Sequence, residues 1–291
     1  MAIMSYRAAL NVQRLLIYVL MAILTLLALV PLYLLLINAT RTTEEINLGI
    51  SLIPGGSIAH NWYALTSRGF RITQGFYNSA FIAIATTALN VYFSALTAYG
   101  LHVYRFKGRN VLWAAILIII MLPPTLSLLG FIQFVLTINV FLQDNLGFMM
   151  PAYFPLIVPA IAGAGSVLFI RQYMATISTE TLIEAARIDG AGEFYVFNKI
   201  MLPLLTPVLA AQSIFTFVAS WNNFMLPFVL IHDQARFTLP MLVQMLRGDI
   251  FRTEVGGIYL GIAVSIVPIV VFYSFMSRFI ISGLTLGGVK E

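Results

Sequence analysis

Hydrophobic residues run along this chain in long unbroken blocks, with neither the alternation of a half-buried strand nor the rhythm of an amphipathic helix. Six stretches contain no Asp, Glu, Lys or Arg: Leu15–Ile37, Phe76–Tyr104, Asn110–Gln143, Asn145–Ile170, Ile200–Ile231 and Val255–Ser277. About 20 apolar residues suffice for a helix to cross a bilayer, so every stretch is long enough. As a straight helix Asn110–Gln143 would measure about 51 Å, against a hydrocarbon core of about 30 Å, and Pro123-Pro124 interrupts it. The pattern therefore predicts one span there, about Val111 to Gln133, followed by an amphipathic piece to Gln143. The first run exceeds the ~7–15 apolar residues of a signal-peptide core and reads as a retained span.

Charge supplies the orientation. Ten of the 16 Lys and Arg residues fall on one side of such a six-span chain: Arg7, Arg14, Arg105, Lys107, Arg109, Arg171, Arg187, Lys199, Arg278 and Lys290. Arg41, Arg68, Arg71, Arg236, Arg247 and Arg252 fall on the other. The excess puts both termini and the polar segment between the fourth and fifth spans in the cytoplasm. Two crossings within Asn110–Gln143 would turn that segment outward. The expected organisation is an all-α membrane protein: a cytoplasmic segment 1–14, a six-helix domain 15–281 with a polar loop 178–200, and a cytoplasmic tail 282–291.

Composition narrows the function. Charged residues make up 9% of the chain, against about a quarter in soluble domains, which excludes a water-soluble fold. The basic residues form no stripe, so nucleic-acid binding is not indicated. Without cysteine there is no disulfide, thiolate metal site or thiol nucleophile. No G-x-x-x-x-G-K-[ST] phosphate loop is present. None of the six stretches holds a carboxylate, which argues against a proton- or sodium-driven carrier. His60, His102 and His232 are scattered and read as packing or interfacial residues. No catalytic residue, metal site or bound cofactor is expected.

The anomaly is the segment from Glu180 to Lys199, which gathers Glu180, Glu184, Arg187, Asp189, Glu193 and Lys199. Ser178 or Thr179 can cap a helix, and Leu182, Ile183 and Ala186 give it an apolar face. Gly190 and Gly192 should stop it. A second helix follows from about Glu193 to Ile200, and Pro203 marks entry into the fifth span. Small Ala185, Ala186 and Ala191 let another surface approach. The alternative is an amphipathic loop lying on the membrane, but such helices are usually rich in Lys and Arg. Helix, glycine turn, helix has the shape of a docking element.

Here the chain resembles a known family. Glu184-Ala185-Ala186, Asp189-Gly190-Ala191 and Ile200-Met201-Leu202-Pro203 match the E-A-A-x-x-D-G-A and I-x-L-P signature of permease subunits of ABC importers, in the carbohydrate branch. The stretch 78–110 resembles the family's second and third helices, SWNNFMLPFVLI and FTLP at Phe237–Pro240 resemble its fifth helix and following loop, and the terminal SGLTLGGVKE is similar to the tail of the maltose-type second permease subunit. Nearly the whole chain after about residue 10 is covered. The entry Ile177-Ser178-Thr179-Glu180 lacks the proline many members carry.

The resemblance implies a type I importer fold in a prokaryotic cytoplasmic membrane. Its partners would be a second, non-identical permease, a dimer of ABC ATPases holding ATP and magnesium, an extracytoplasmic sugar-binding protein, and the sugar. Glu184, Ala185, Ala186, Arg187, Asp189, Gly190 and Ala191 would form the coupling helix. Trp221, Asn222 and Asn223 would line the substrate path near the middle of the fifth span, with Trp221 offering a stacking face. An interhelical hydrogen-bond cluster remains the other reading of these amides. Lys290 and Glu291 would reach towards the ATPase dimer. Asn90 reads as packing, and Gly257, Gly261 and Ser265 as close helix approach within the subunit.

Overall fold

A computed structural model describes residues 2–67, 71–177, 179–248 and 254–287, and every regular element among them is helical. The elements are α1 (Ala2–Ala39), α2 (Thr43–Asn47), α3 (Ile58–Thr66), α4 (Ile72–Val103), α5 (Arg109–Met121), α6 (Pro124–Leu146), α7 (Phe154–Ile157), α8 (Ala164–Met174), α9 (Thr179–Ile188), α10 (Glu193–Tyr195), α11 (Leu202–Leu204), α12 (Thr206–Trp221), α13 (Met225–Leu230), α14 (Leu239–Gly248) and α15 (Val255–Gly287). Five helical stretches are long and apolar enough to cross a membrane: Gln13–Ala39, Ile72–Val103, Ser127–Leu146, Phe154–Met174 and Val255–Ile280. A sixth is broken, with Glu193–Leu204 and Thr206–Trp221 meeting at 79°. The residues divide into two units, 1–70 with 243–266 and 71–242 with 267–291.

In the first unit, α1 exposes apolar side chains on every face over most of its length, as a helix surrounded by hydrocarbon must. Its end is tied by side chains. Buried Asn61 donates to the Ala39 and Arg41 carbonyls, each at 2.9 Å. The Arg41 guanidinium bonds Gly49 O at 3.0 Å, Asn38 Oδ1 and Glu45 O. Thr42 and Glu45 form a reciprocal capping box at the start of α2. Gly257 faces Ala64, and Gly261 faces Leu65 and Val243. The small-residue spacing thus serves packing inside the subunit.

The second unit is built on α4. Along α4, Ile82 clusters with Leu156, Asn90 bonds Ala160 O and Ser166 Oγ, and His102 lies beside Thr179 just past α8. The stretch Phe154–Met174 therefore runs parallel to α4. Two parallel helices need a return path, which the chain between them supplies.

The helix bounds within that return path correct the sequence expectation. No single helix covers Val111 to Gln133. The α5 helix stops at Met121, Leu122 and Pro123 take extended ψ values of 135° and 126°, and Pro124 opens α6, which continues to Leu146. A proline disfavours α-conformation in the residue before it and withholds an N–H, so two in succession split the stretch. The α5 helix has 13 residues, about 20 Å, too few to cross by itself.

Asn90, in the middle of α4, lies 4% exposed. It donates to Ala160 O where the helical path loosens before α8, and accepts from Ser166 Oγ at 2.9 Å and Thr216 Oγ1 at 3.3 Å. A Cβ on Gly163 would sit 2.7 Å from Asn90 Nδ2, which leaves room only for glycine. One amide thus joins α4, α8 and α12. Asn90→Leu should lower the stability of the detergent-solubilised chain by about 1–2 kcal/mol, read as a drop in thermal midpoint; an unchanged midpoint would remove Asn90 from the architecture.

Candidate functional site

The polar segment forms one compact knot. The α9 helix runs from Thr179 to Ile188, and Ser178 lies outside the described residues. Ile183 and Ala186 turn into the core of the second unit, against residues such as Tyr99, Phe197 and Met201. Leu182 is 46% exposed and does not share that buried face. Gly190, at φ +81°, ends the helix: Ala191 N–H donates to Ala186 O at 2.9 Å and Gly190 N–H to Arg187 O at 3.0 Å. This is the Schellman pattern, which needs a residue at positive φ. Gly192 does not share the role expected of it, because its φ of −71° and ψ of 151° make it the extended residue that starts α10.

Glu193 holds the knot to the spans. Its carboxylate accepts from Arg187 Nε at 2.7 Å, from Tyr99 Oη at 3.3 Å and from Tyr104 Oη. Burial, and then the hydrogen bond to that carboxylate, push the Tyr104 phenol upward, and the same carboxylate raises the Arg187 guanidinium further. Arg187 is thus engaged within its own chain. Glu193, Tyr99 and Tyr104 were not among the expected site residues; the signal was an acid and a base flanking the Gly190 turn. Beyond Glu193 the chain adopts a π-helical turn over Val196–Met201, with Val196, Phe197 and Met201 buried.

The outer side of the knot is free of such contacts. Glu184, Ala185, Asp189 and Gly190 are exposed, as are Ile188 at 86%, Phe194 at 70% and Tyr195. Ala186, at 8% exposed, is not available to an outside surface, because it packs inward. Ala191 is half-buried.

The second predicted group lies elsewhere than expected. Trp221, Asn222 and Asn223 sit at the end of α12 and just past it, not at its middle; Asn222 is its C-cap. The helix has 16 residues, which places them about 24 Å from its bent start. Trp221 is 1% exposed, with its ring stacked on Phe217 at 5.8 Å and edge-on to Phe76 at 5.6 Å. That packing leaves it no open stacking face. Asn222 is exposed, and Asn223 is half-buried beside Ser220 and Thr238. Lys290 and Glu291 lie outside the described residues.

Residues 90–285 match the family model described as "Binding-protein-dependent transport system inner membrane component". The chain belongs to that family. The permease is 38% identical over 277 residues to the arabinooligosaccharides transport system permease protein AraQ of Halalkalibacterium halodurans, with 92% of this chain and 94% of that one covered. It is 32% identical to the Bacillus subtilis AraQ over 283 residues, covering 96% and 97%. The sn-glycerol-3-phosphate transport system permease protein UgpE of Yersinia enterocolitica is 30% identical over 274 residues, covering 92% and 94%. These relatives are transporter subunits and not enzymes. The fold matches a chain in the crystal structure of a bacterial ABC transporter involved in import of the acidic polysaccharide alginate, with TM-score 0.73, 20% identity, and 92% and 96% coverage. The permease therefore has the ABC importer permease fold.

The Glu193 contacts generate a test. Glu193→Ala removes three hydrogen bonds at once and should speed amide exchange across 179–192 while leaving α12 protected, as measured by hydrogen–deuterium exchange. Unchanged exchange would mean that Glu193 does not secure the segment.

Proposed function

We propose that this chain is a permease subunit of an ATP-driven importer for sugars or oligosaccharides in a prokaryotic cytoplasmic membrane. The observation that carries the reading is the α9–Gly190–α10 knot, which offers Glu184, Ala185, Asp189 and Gly190 to a partner while Glu193 fastens it to the spans. An exposed, polar, stiff element at the end of a span is what a motor protein needs to grip. Six spans, counting α10–α12 as one, place both termini and the knot in the cytoplasm by the excess of basic residues.

In this reading an ABC ATPase dimer holds ATP and magnesium and receives the knot, with Glu184 meeting a basic group. A second, non-identical permease completes the path, and an extracytoplasmic binding protein delivers the solute. ATP-driven closure of the dimer moves the knot, and the spans rock between inward- and outward-facing states. Asn222 and Asn223 present amides to solute hydroxyls, and Trp221 supports them from behind. The AraQ and UgpE relatives, named for arabinooligosaccharides and sn-glycerol-3-phosphate, support a polyhydroxylated solute.

Gly190→Pro cannot adopt φ +81° and lacks the N–H that Arg187 O accepts. Glu184→Lys reverses an exposed charge. Both variants should reach the membrane, retain the fold, and lose solute uptake along with ATPase co-purification in mild detergent. Normal uptake in both variants would overturn the docking role. A panel of oligosaccharides and sn-glycerol-3-phosphate, presented to cells carrying the intact importer, tests the solute class.

A further inference from the structure

A cavity of about 520 Å³ lies beside the knot. The ends of α4 and α8, the start of α5 and the inner edge of α9 enclose it. Its lining includes Arg105, Arg109 and Arg171 together with Glu180, Glu184 and Arg187. Arg187 is paired with Glu193, whereas among the described residues the other three arginines form no ion pair. Arg171 Nε is buried with no hydrogen-bond partner. Three cations converging on a cavity repel one another and are costly to hold so without an anion.

The position of the cavity indicates which anion. Two apolar stretches end there, at Val103 and Met174, so the cavity sits where hydrocarbon gives way to headgroups. The Arg171 guanidinium lies 3.9 Å over the Trp113 ring, an aromatic and a base together at an interface level. Beside them α5 exposes Val111, Leu112, Ile118 and Ile119, an apolar flank along which an acyl chain can lie.

We propose that this cavity binds the headgroup of a membrane phospholipid, with the phosphate held by Arg105, Arg109 and Arg171 and an ammonium favoured by Glu180. The inference rests on the membrane placement of α4 and α8 and is independent of the solute carried. It joins the knot to the lipid: a headgroup in the cavity touches α9 at Glu180 and Ile183.

The experiment is native mass spectrometry of the intact importer, extracted in mild detergent and titrated with phosphatidylethanolamine, phosphatidylglycerol or inorganic phosphate. Wild type should retain phosphatidylethanolamine in preference to phosphatidylglycerol. Arg105→Ala with Arg109→Ala should weaken that retention about 30-fold, at about fivefold per guanidinium, with the ATPase still bound. Arg105→Lys with Arg109→Lys should restore most of it, which a folding defect would not allow. Retention equal in wild type and the double alanine variant overturns the site. Occupancy by inorganic phosphate that displaces the lipid reduces it to a free-anion site. Loss of the ATPase with lipid retained assigns the arginines to the motor contact instead, and preference for phosphatidylglycerol removes the role of Glu180.

Discussion

A peptide group left unpaired in hydrocarbon costs several kcal/mol, and that constraint organises this chain. It forces helix everywhere in the spans, so the informative places are those where helix fails. At several of these a side-chain amide or hydroxyl supplies a bond that the helix has given up. Asn90 takes Ala160 O ahead of α8; Asn61 takes two carbonyls past the end of α1; Asn139 accepts from Met150 N; Asn78 takes Ala235 O and Phe237 O. At the 79° bend, Pro207 withholds an N–H and Thr206 Oγ1 returns a bond to Pro203 O at 2.7 Å. These asparagines thus mark interruptions of the backbone, which is a sufficient reason for their presence before any ligand is invoked.

The same accounting explains why charges lie between the apolar stretches. A carboxylate such as Glu193 is tolerable where water reaches it and where Arg187, Tyr99 and Tyr104 satisfy it. Placed there, it converts a polar loop into a braced element: the Schellman turn fixes the backbone at Gly190, and Ile183 and Ala186 anchor α9 in the core. On the proposed reading this stiffness matters more than any single exposed side chain, because a loose loop would absorb a push.

Long apolar blocks made the existence of the spans legible. Helix bounds were not legible in the same way. Inside a block that is hydrophobic on all sides, periodicity carries no information about which face is buried, so Trp221 reads alike whether packed on Phe217 or open to a path. The split at Pro123-Pro124 was visible as an interruption, but which side carried the longer helix depended on tertiary contacts. The knot was legible because its glycines and charges stand out against an apolar background. Its anchor was missed because Tyr99 and Glu193 are far apart in sequence, and no local rule pairs them.

These placements bear on how force passes through the subunit. Between α9 and α12 lie a π-helical turn and the 79° bend, features that elsewhere indicate compliance. Here the turn is not slack: Val196, Phe197 and Met201 are buried, Phe197 packs on Tyr92 and Tyr99 of α4, and Tyr92 Oη bonds Asn198. On the proposed reading a displacement of the knot would reach α4 as well as α12, and Asn90 ties those two helices to α8 farther along. Close-packed contacts of this kind transmit strain instead of dissipating it. The three helices should accordingly move as a block, with Asn222 and Asn223 carried at the far end of α12.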